Sequence, residues 1–124
     1  MPWSTNRGYY ILVIKLKEKI TLSIGKLGTF PFYPGIYCYV GRAKTSLRQR
    51  LARHSKKTKA LRWHIDYLLP HTQIQAIYLF PLGCTTECAL AKKLAEKGGI
   101  PYPPRFGASD CRCKGHLIYL TRGY

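Results

Sequence analysis

From Tyr37 to His64 the chain reads Y-C-Y-V-G-R-A-K-T-S-L-R-Q-R-L-A-R-H-S-K-K-T-K-A-L-R-W-H, which puts an aromatic strand end, a glycine and a densely basic helix in one run. No acidic residue occurs between Lys19 and Ile65, whereas residues 42 to 64 carry Arg42, Lys44, Arg48, Arg50, Arg53, Lys56, Lys57, Lys59 and Arg62. Like charges at this density stay solvated and repel one another until a polyanion neutralises them. The run therefore reads as a site for such a partner, and the rest of the chain as the frame that presents it.

The overall balance agrees. With 21 Lys and Arg against 5 Asp and Glu, the formal charge is +16. A charge of that size attracts phosphate backbones or anionic membranes over a Debye length of about 10 Å. Nucleic acid is the first candidate. A membrane fits less well, because no apolar run approaches the ~20 residues a span needs, and the cations sit among aromatics and glycines instead of along one amphipathic helix. A length of 124 residues, 46% of them hydrophobic, is expected to give a single domain with one modest core. The N-terminal Met1-Pro2-Trp3-Ser4-Thr5-Asn6-Arg7 lacks a signal-peptide core, so a cytoplasmic location with cysteines as thiols is expected.

Tyr9 to Lys17 (YYILVIKLK) has the β-branched and aromatic content of a central strand, and Ile20 to Ile24 (ITLSI) alternates like its partner across a turn at residues 17–19. Gly25-Lys26-Leu27-Gly28 breaks the second strand, and Pro31, Pro34 and Gly35 delay the third to Ile36–Val40, so the first three strands read as an antiparallel meander. Ser46-Leu47-Arg48-Gln49 has the form of a capping box and opens a helix with Leu47 and Leu51 on a buried stripe and Arg50 and His54 on another face. A second helix is expected over residues 59–69, a strand over 73–80, a third helix capped by Thr85 or Thr86 with Leu90, Ala91 and Leu94 inward, and a last strand over 117–120. The order β-β-β-α-α-β-α-β describes an α+β domain with a small, mainly antiparallel sheet flanked by helices.

Tyr39-Val40-Gly41-Arg42-Ala43, followed by Leu47, Arg50 and His54, resembles the second half of the GIY-YIG nuclease signature, Y-[IV]-G-x-[AS] and then a helix bearing an arginine and a histidine or tyrosine. The literal G-I-Y at Gly35-Ile36-Tyr37 is not its first half: Tyr37 lies two residues from Tyr39 on one strand, while the two halves of the signature occupy neighbouring strands. Gly8-Tyr9-Tyr10, at the head of the first strand, is the better first half, and Ile20–Ile24 then becomes an insertion. Pro34-Gly35, W-H-I-D-Y-L-L from Trp63, Glu87 and G-A-S-D-C-R-C-K-G-H-L from Gly107 extend the resemblance over nearly the whole chain. Together they look like a small prokaryotic branch of the family, sometimes fused to an endonuclease III-like glycosylase.

The resemblance implies metal-assisted hydrolysis of a phosphodiester, in which a tyrosine helps activate water, an arginine holds the phosphate and a glutamate binds a divalent ion. Tyr10 and Tyr39 are both candidates for the base. A phenol ordinarily titrates near pH 10, so it would have to be lowered by neighbouring cations such as Arg42. Arg50, one turn before His54, offers phosphate oxygens a planar fork, and His54 orients or protonates. The acids are Glu18, Asp66, Glu87, Glu96 and Asp110. Of these Glu87 matches the family's metal position, with Mg²⁺ or Mn²⁺ completed by phosphate and water, and Asp110 falls near a position where other members carry a polar residue. Tyr37, His64 and His116 are further candidates. The activity so implied is an endonuclease acting on DNA, in DNA repair.

Plainer accounts compete with each assignment. Tyr10, Tyr37 and Tyr39 are also ordinary strand aromatics, Glu87 suits a first helical turn, and Arg42, Lys44, Arg48, Arg53, Lys56, Lys57, Lys59 and Arg62 form a phosphate-attracting face without any part in catalysis. The spacings Cys84-x3-Cys88 and Cys111-x-Cys113 with His116 differ from the paired C-x2-C of common zinc sites, so thiols or a disulfide rank ahead of a structural metal. A DNA- or RNA-binding module on the same fold, without hydrolysis, is the alternative function, and a basic ribosome-associated protein with no site is a third.

Overall fold

The computed structural model describes residues 8–43, 64–81, 87–103, 105–106 and 115–121. Among these, β1 (Gly8–Leu16), β2 (Ile20–Ile24), β3 (Gly28–Phe32) and β4 (Gly35–Ala43) precede a short α1 (His64–Leu68). They are followed by β5 (Gln73–Pro81), α2 (Glu87–Glu96), β6 (Ile100–Pro101) and β7 (Leu117–Thr121). The fold is α+β, with one five-stranded sheet in the order β5-β1-β4-β7-β6 and a separate two-stranded sheet of β2 and β3. All described strand pairs are antiparallel.

The run GYYILVIKL makes β1 an interior strand, paired on one side with β4 and on the other with β5. Because side chains alternate between faces, the same strands feed two cores. On one face Tyr10, Leu12, Ile14 and Leu16 of β1 pack with Tyr37 and Tyr39 of β4, Leu117 of β7, Ile65 and Leu68 of α1, and Phe106. On the other, Tyr9, Ile11, Cys38, Val40 and Ile118 meet Leu90 and Ala91 of α2. Each fully buried aromatic or aliphatic side chain contributes roughly 1.5–3 kcal/mol, so the sheet is the main source of cohesion.

The expected meander is corrected. Ile20–Ile24 forms at its predicted bounds, but its partner is Gly28–Phe32 and not β1, whose second neighbour is β4. A strand over 28–32 was not expected because Pro31 cannot donate to a ladder; in a two-stranded ribbon its nitrogen faces no partner strand, and proline is tolerated. The turn between β2 and β3 uses Gly25 and Gly28 at positive φ (47° and 128°), and Ser23 and Thr29, opposite one another, join their hydroxyls at 2.8 Å. Ile24 and Phe32 then anchor the hairpin on the Tyr10 side of the large sheet.

α1 continues past Leu68 as a 3-10 turn over Leu69–His71 that contains Pro70, so the proline sits within the terminating turn. α2 ends as expected at Gly98-Gly99: Gly98 has φ 104°, and the Gly99 N–H bonds the Leu94 carbonyl at 3.1 Å. The short β6 was not anticipated, since Ile100-Pro101 pairs through only two residues of β7. The helix expected from Ser46, the start of the second helix before His64, and the caps at Thr85 and Thr86 lie outside the described residues.

Candidate functional site

β1 and β4 pair so that Tyr10 lies opposite Gly41 and Leu12 opposite Tyr39, which puts both motif tyrosines on one face of the sheet. Their ring centroids are 6.3 Å apart at 52°. Gly41 is dictated by this approach: a Cβ there would fall far inside van der Waals contact of Tyr10 Cζ, Oη and Cε1. The Tyr10 ring thus lies over the one position in Tyr39-Val40-Gly41 that has no side chain.

From Tyr39 a row of rings continues. Phe106 meets Tyr39 edge-on at 6.2 Å and His64 of α1 at 5.5 Å. Sequence reasoning did not single out Phe106; an apolar aromatic within a proline-rich loop was the available signal. It is held by its own backbone, whose N–H bonds the Pro103 carbonyl and whose carbonyl accepts from the His116 N–H at 2.7 Å. Burial pushes the His64 imidazole below its ordinary 6.5. Tyr10 is fully buried and Tyr39 is 6% exposed, so both rings are buried and Tyr39 is the less enclosed of the two.

Tyr37 has a different task. It is paired with Ile14, toward the opposite end of β1 from Tyr10. Its hydroxyl donates to the Tyr33 carbonyl (2.6 Å) and accepts from the Tyr33 N–H (2.9 Å), while its ring packs at 4.8 Å on Tyr119. Burial drives its pKa well above 10.0. These contacts make Tyr37 a clamp on the Tyr33 backbone.

Arg42 was expected to act on Tyr39 from three residues away, but an odd spacing on a strand reverses the face. Its guanidinium instead lies 5.9 Å from the ring centroid of Tyr9, an exposed cation–π contact on the other side. α2, which Glu87 opens, packs on that same far side through Leu90 and Ala91. The Sγ of Cys88 sits 3.9 Å from Nε2 of buried His116, whose carbonyl accepts from the Val40 N–H at 2.9 Å. The structure therefore joins Tyr10, Tyr39 and His64 on one face and Arg42, His116 and α2 on the other. Arg50, His54, Lys44, Arg48, Arg53, Lys56, Lys57, Lys59, Arg62 and Asp110 lie outside the described residues, as does the side chain of Glu87.

A family model described as a domain of unknown function, DUF123, matches residues 9–123. The chain belongs to this family. No curated protein and no solved structure matches it. The DUF123 match takes in the tyrosine pair, the basic run, Glu87 and His116, so the residues of both faces belong to one family unit.

Two further features of this DUF123 chain bear on its chemistry. Among the described residues no three His, Cys, Asp or Glu side chains gather as a metal-holding group, and no helix is long and apolar enough to cross a membrane. Cys38 is buried and free, with burial pushing its thiol up to about 11, so it stays protonated and unreactive near neutrality. Cys88 is disulfide-bonded, which for this cysteine is the disulfide and not the thiol of the two readings placed ahead of a structural metal. Cys84, Cys111 and Cys113, the other cysteines weighed for zinc, lie outside the described residues.

Proposed function

We propose that this DUF123 chain is a Mg²⁺- or Mn²⁺-dependent endonuclease that hydrolyses phosphodiester bonds in DNA in the manner of GIY-YIG nucleases, with a role in DNA repair. The observation that carries the reading is the β1–β4 register, which brings the tyrosines of Gly8-Tyr9-Tyr10 and Tyr39-Val40-Gly41 together across a glycine. Tyr39, acting as its phenolate, takes a proton as water attacks phosphorus, and His54 returns one to the leaving sugar oxygen as its bond to phosphorus breaks. Tyr10 backs it from below. Arg50 and His54 are assigned to the phosphate, and Arg42, Lys44 and the other cations through Arg62 to the flanking backbone. Glu87 supplies one hard carboxylate, a donor set that suits Mg²⁺ or Mn²⁺ completed by phosphate and water. The ion, when bound, would neutralise charge on the transferring phosphate.

One observation favours a second reading. Tyr10 is wholly buried, Tyr39 nearly so, and the helix that Glu87 opens packs on the opposite face, as expected of a fold that binds DNA or RNA without cutting it. Incubation of the purified chain with Mg²⁺ or Mn²⁺ and single-stranded, duplex, branched or abasic DNA separates the two. The nuclease reading expects cleavage that chelator abolishes and that Glu87→Ala lowers by about 100-fold or more with binding retained. If every substrate survives, or Glu87→Ala cuts as well as the unaltered chain, the enzyme reading is refuted.

A further inference from the structure

Cations also gather far from the 42–64 run. Lys15, Lys17 and Lys19, at the end of β1 and in the turn to β2, face His71, Thr72 and Gln73 across an open concavity of about 450 Å³. Lys17, Lys19, His71 and Gln73 are exposed and Lys15 is half-buried; one carboxylate, Glu18, stands against the three ammonium groups. The walls are held by backbone: Lys15 pairs with Gln73 in the β1–β5 ladder, and both the N–H and the hydroxyl of Thr72 donate to the Leu69 carbonyl at 3.0 Å. Lys19 is further fixed by the Tyr33 ring, with Nζ 5.5 Å from its centroid.

This concavity lies at the opposite end of β1 from Tyr10. Six residues separate Leu16 from Tyr10, a distance of roughly 20 Å along a strand, or the rise of about six base pairs. Between the two places runs β5, which among the described residues pairs only with β1 and so forms the sheet's edge. Its sequence, QIQAIYLFP, contains no acid, and Gln75 and Tyr78 are exposed along it. A phosphate backbone lying along that edge meets no repelling charge.

We infer that the Lys15–Lys17–Lys19 concavity is a second contact for the phosphate backbone of duplex nucleic acid, about six base pairs from the position over Tyr10. The inference rests on the nucleic-acid half of the proposed function and not on hydrolysis. Phosphates held by lysines release condensed counterions, which makes the contact readable as a salt dependence.

The test is fluorescence anisotropy with a labelled duplex of about 20 base pairs, in chelator so that nothing is cut, over a series of salt concentrations. Lys15→Gln/Lys17→Gln/Lys19→Gln is compared with Lys92→Gln/Lys93→Gln/Lys97→Gln, which removes the same charge from α2 and its C-terminal turn. Lys17→Gln/Lys19→Gln, confined to the turn, serves where the β1 substitution disturbs folding. The expected result is a log–log salt slope shallower by about 0.9 for each phosphate-holding lysine, and affinity at ~0.1 M salt weakened about tenfold or more, with the α2 variant close to the unaltered chain. Equal losses in both triple variants would reduce the effect to net charge and overturn the inference. So would a lysine dependence seen with phosphatidylserine vesicles and not with the duplex. Cleavage is assayed separately at saturating protein: its absence beside a lysine-dependent slope sinks the nuclease alone, and its presence beside an unchanged slope sinks the second contact alone.

Discussion

The contact between Tyr10 and Gly41 offers the sharpest test of how the site is built. In Gly41→Ala the new methyl would overlap Cζ, Oη and Cε1 of Tyr10. That ring is wholly buried and bounded by Tyr39, so it has no open space to swing into. Overpacking of this kind costs about 1–3 kcal/mol. Without the ring, alanine in a strand gains about 0.5–1 kcal/mol over glycine, because the unfolded chain loses less freedom on folding. In a Tyr10→Val background, which keeps a β-branched strand residue but lacks the three overlapping atoms, Gly41→Ala should therefore stabilise. The coupling between the two sites is expected at roughly 1–3 kcal/mol, because the glycine-to-alanine gain is common to both backgrounds and cancels, and it is measurable by a double-mutant cycle on urea unfolding. In thermal melts the single variant should fall by about 4 °C per kcal/mol for a chain of this length. If Gly41→Ala has the same effect in both backgrounds to within about 0.5 kcal/mol, the glycine is not there for the ring, and the account of Tyr39-Val40-Gly41 fails.

Tyr37→Phe should cost about 1–2 kcal/mol, since it removes both hydrogen bonds to the Tyr33 backbone. Burial holds the Tyr37 phenol above 10.0, so the unfolded chain gives up that proton first; the stability it contributes is present below pH 10 and lost as pH rises beyond it. The phenylalanine variant should show a shallower decline of urea midpoint above pH 10, and parallel declines would refute the clamp. Cys38 follows the same sign one step lower, its contribution full below pH 9 and lost between 9.0 and about 11, so Cys38→Ala should flatten the pH dependence of unfolding in that window. An unchanged slope there would show that the thiol is not desolvated.

The strands were legible because β1, β5 and β7 carry local apolar runs or alternation that no helix would use. Their pairing was not. Ile20–Ile24 follows β1 after three residues, and such neighbours pair so often that a meander was the natural expectation. The hairpin partner was hidden behind Pro31, a residue that signals the end of a strand except at an edge. Strand geometry alone placed Gly35-Ile36-Tyr37 on the same strand as Tyr39, and β4 does run unbroken from Gly35 to Ala43 with Gly8-Tyr9-Tyr10 on its neighbour β1. The role of Arg42 was misjudged from linear proximity, when parity along the strand decides which face a side chain serves. Phe106 was beyond reach, because a loop aromatic shows its neighbours only after three segments have met.

Parity divides β4 into two series, and that division frames the problem any catalytic reading must solve. Tyr37, Tyr39 and Gly41 face α1, while Cys38, Val40 and Arg42 face α2, so a carboxylate from α2 has to come around the sheet to meet Tyr39. The strand ends make this geometrically reasonable. β1 begins at Gly8, which pairs with both Ala43 and Pro81, so β4 and β5 finish at the end of the sheet where Tyr10 and Gly41 lie. Glu87 follows Pro81 by six residues, a path able to span up to about 20 Å, and the basic run leaves from Ala43 at the same edge. On the proposed nuclease reading, the basic run and Glu87 thus follow strands that finish at the Tyr10 end of the sheet, although α2 packs on the far face. That reading needs Glu87 and Tyr39 to act on the same phosphate, and loss of cleavage with retained binding in Glu87→Ala is the result that would distinguish it from a surface that only binds.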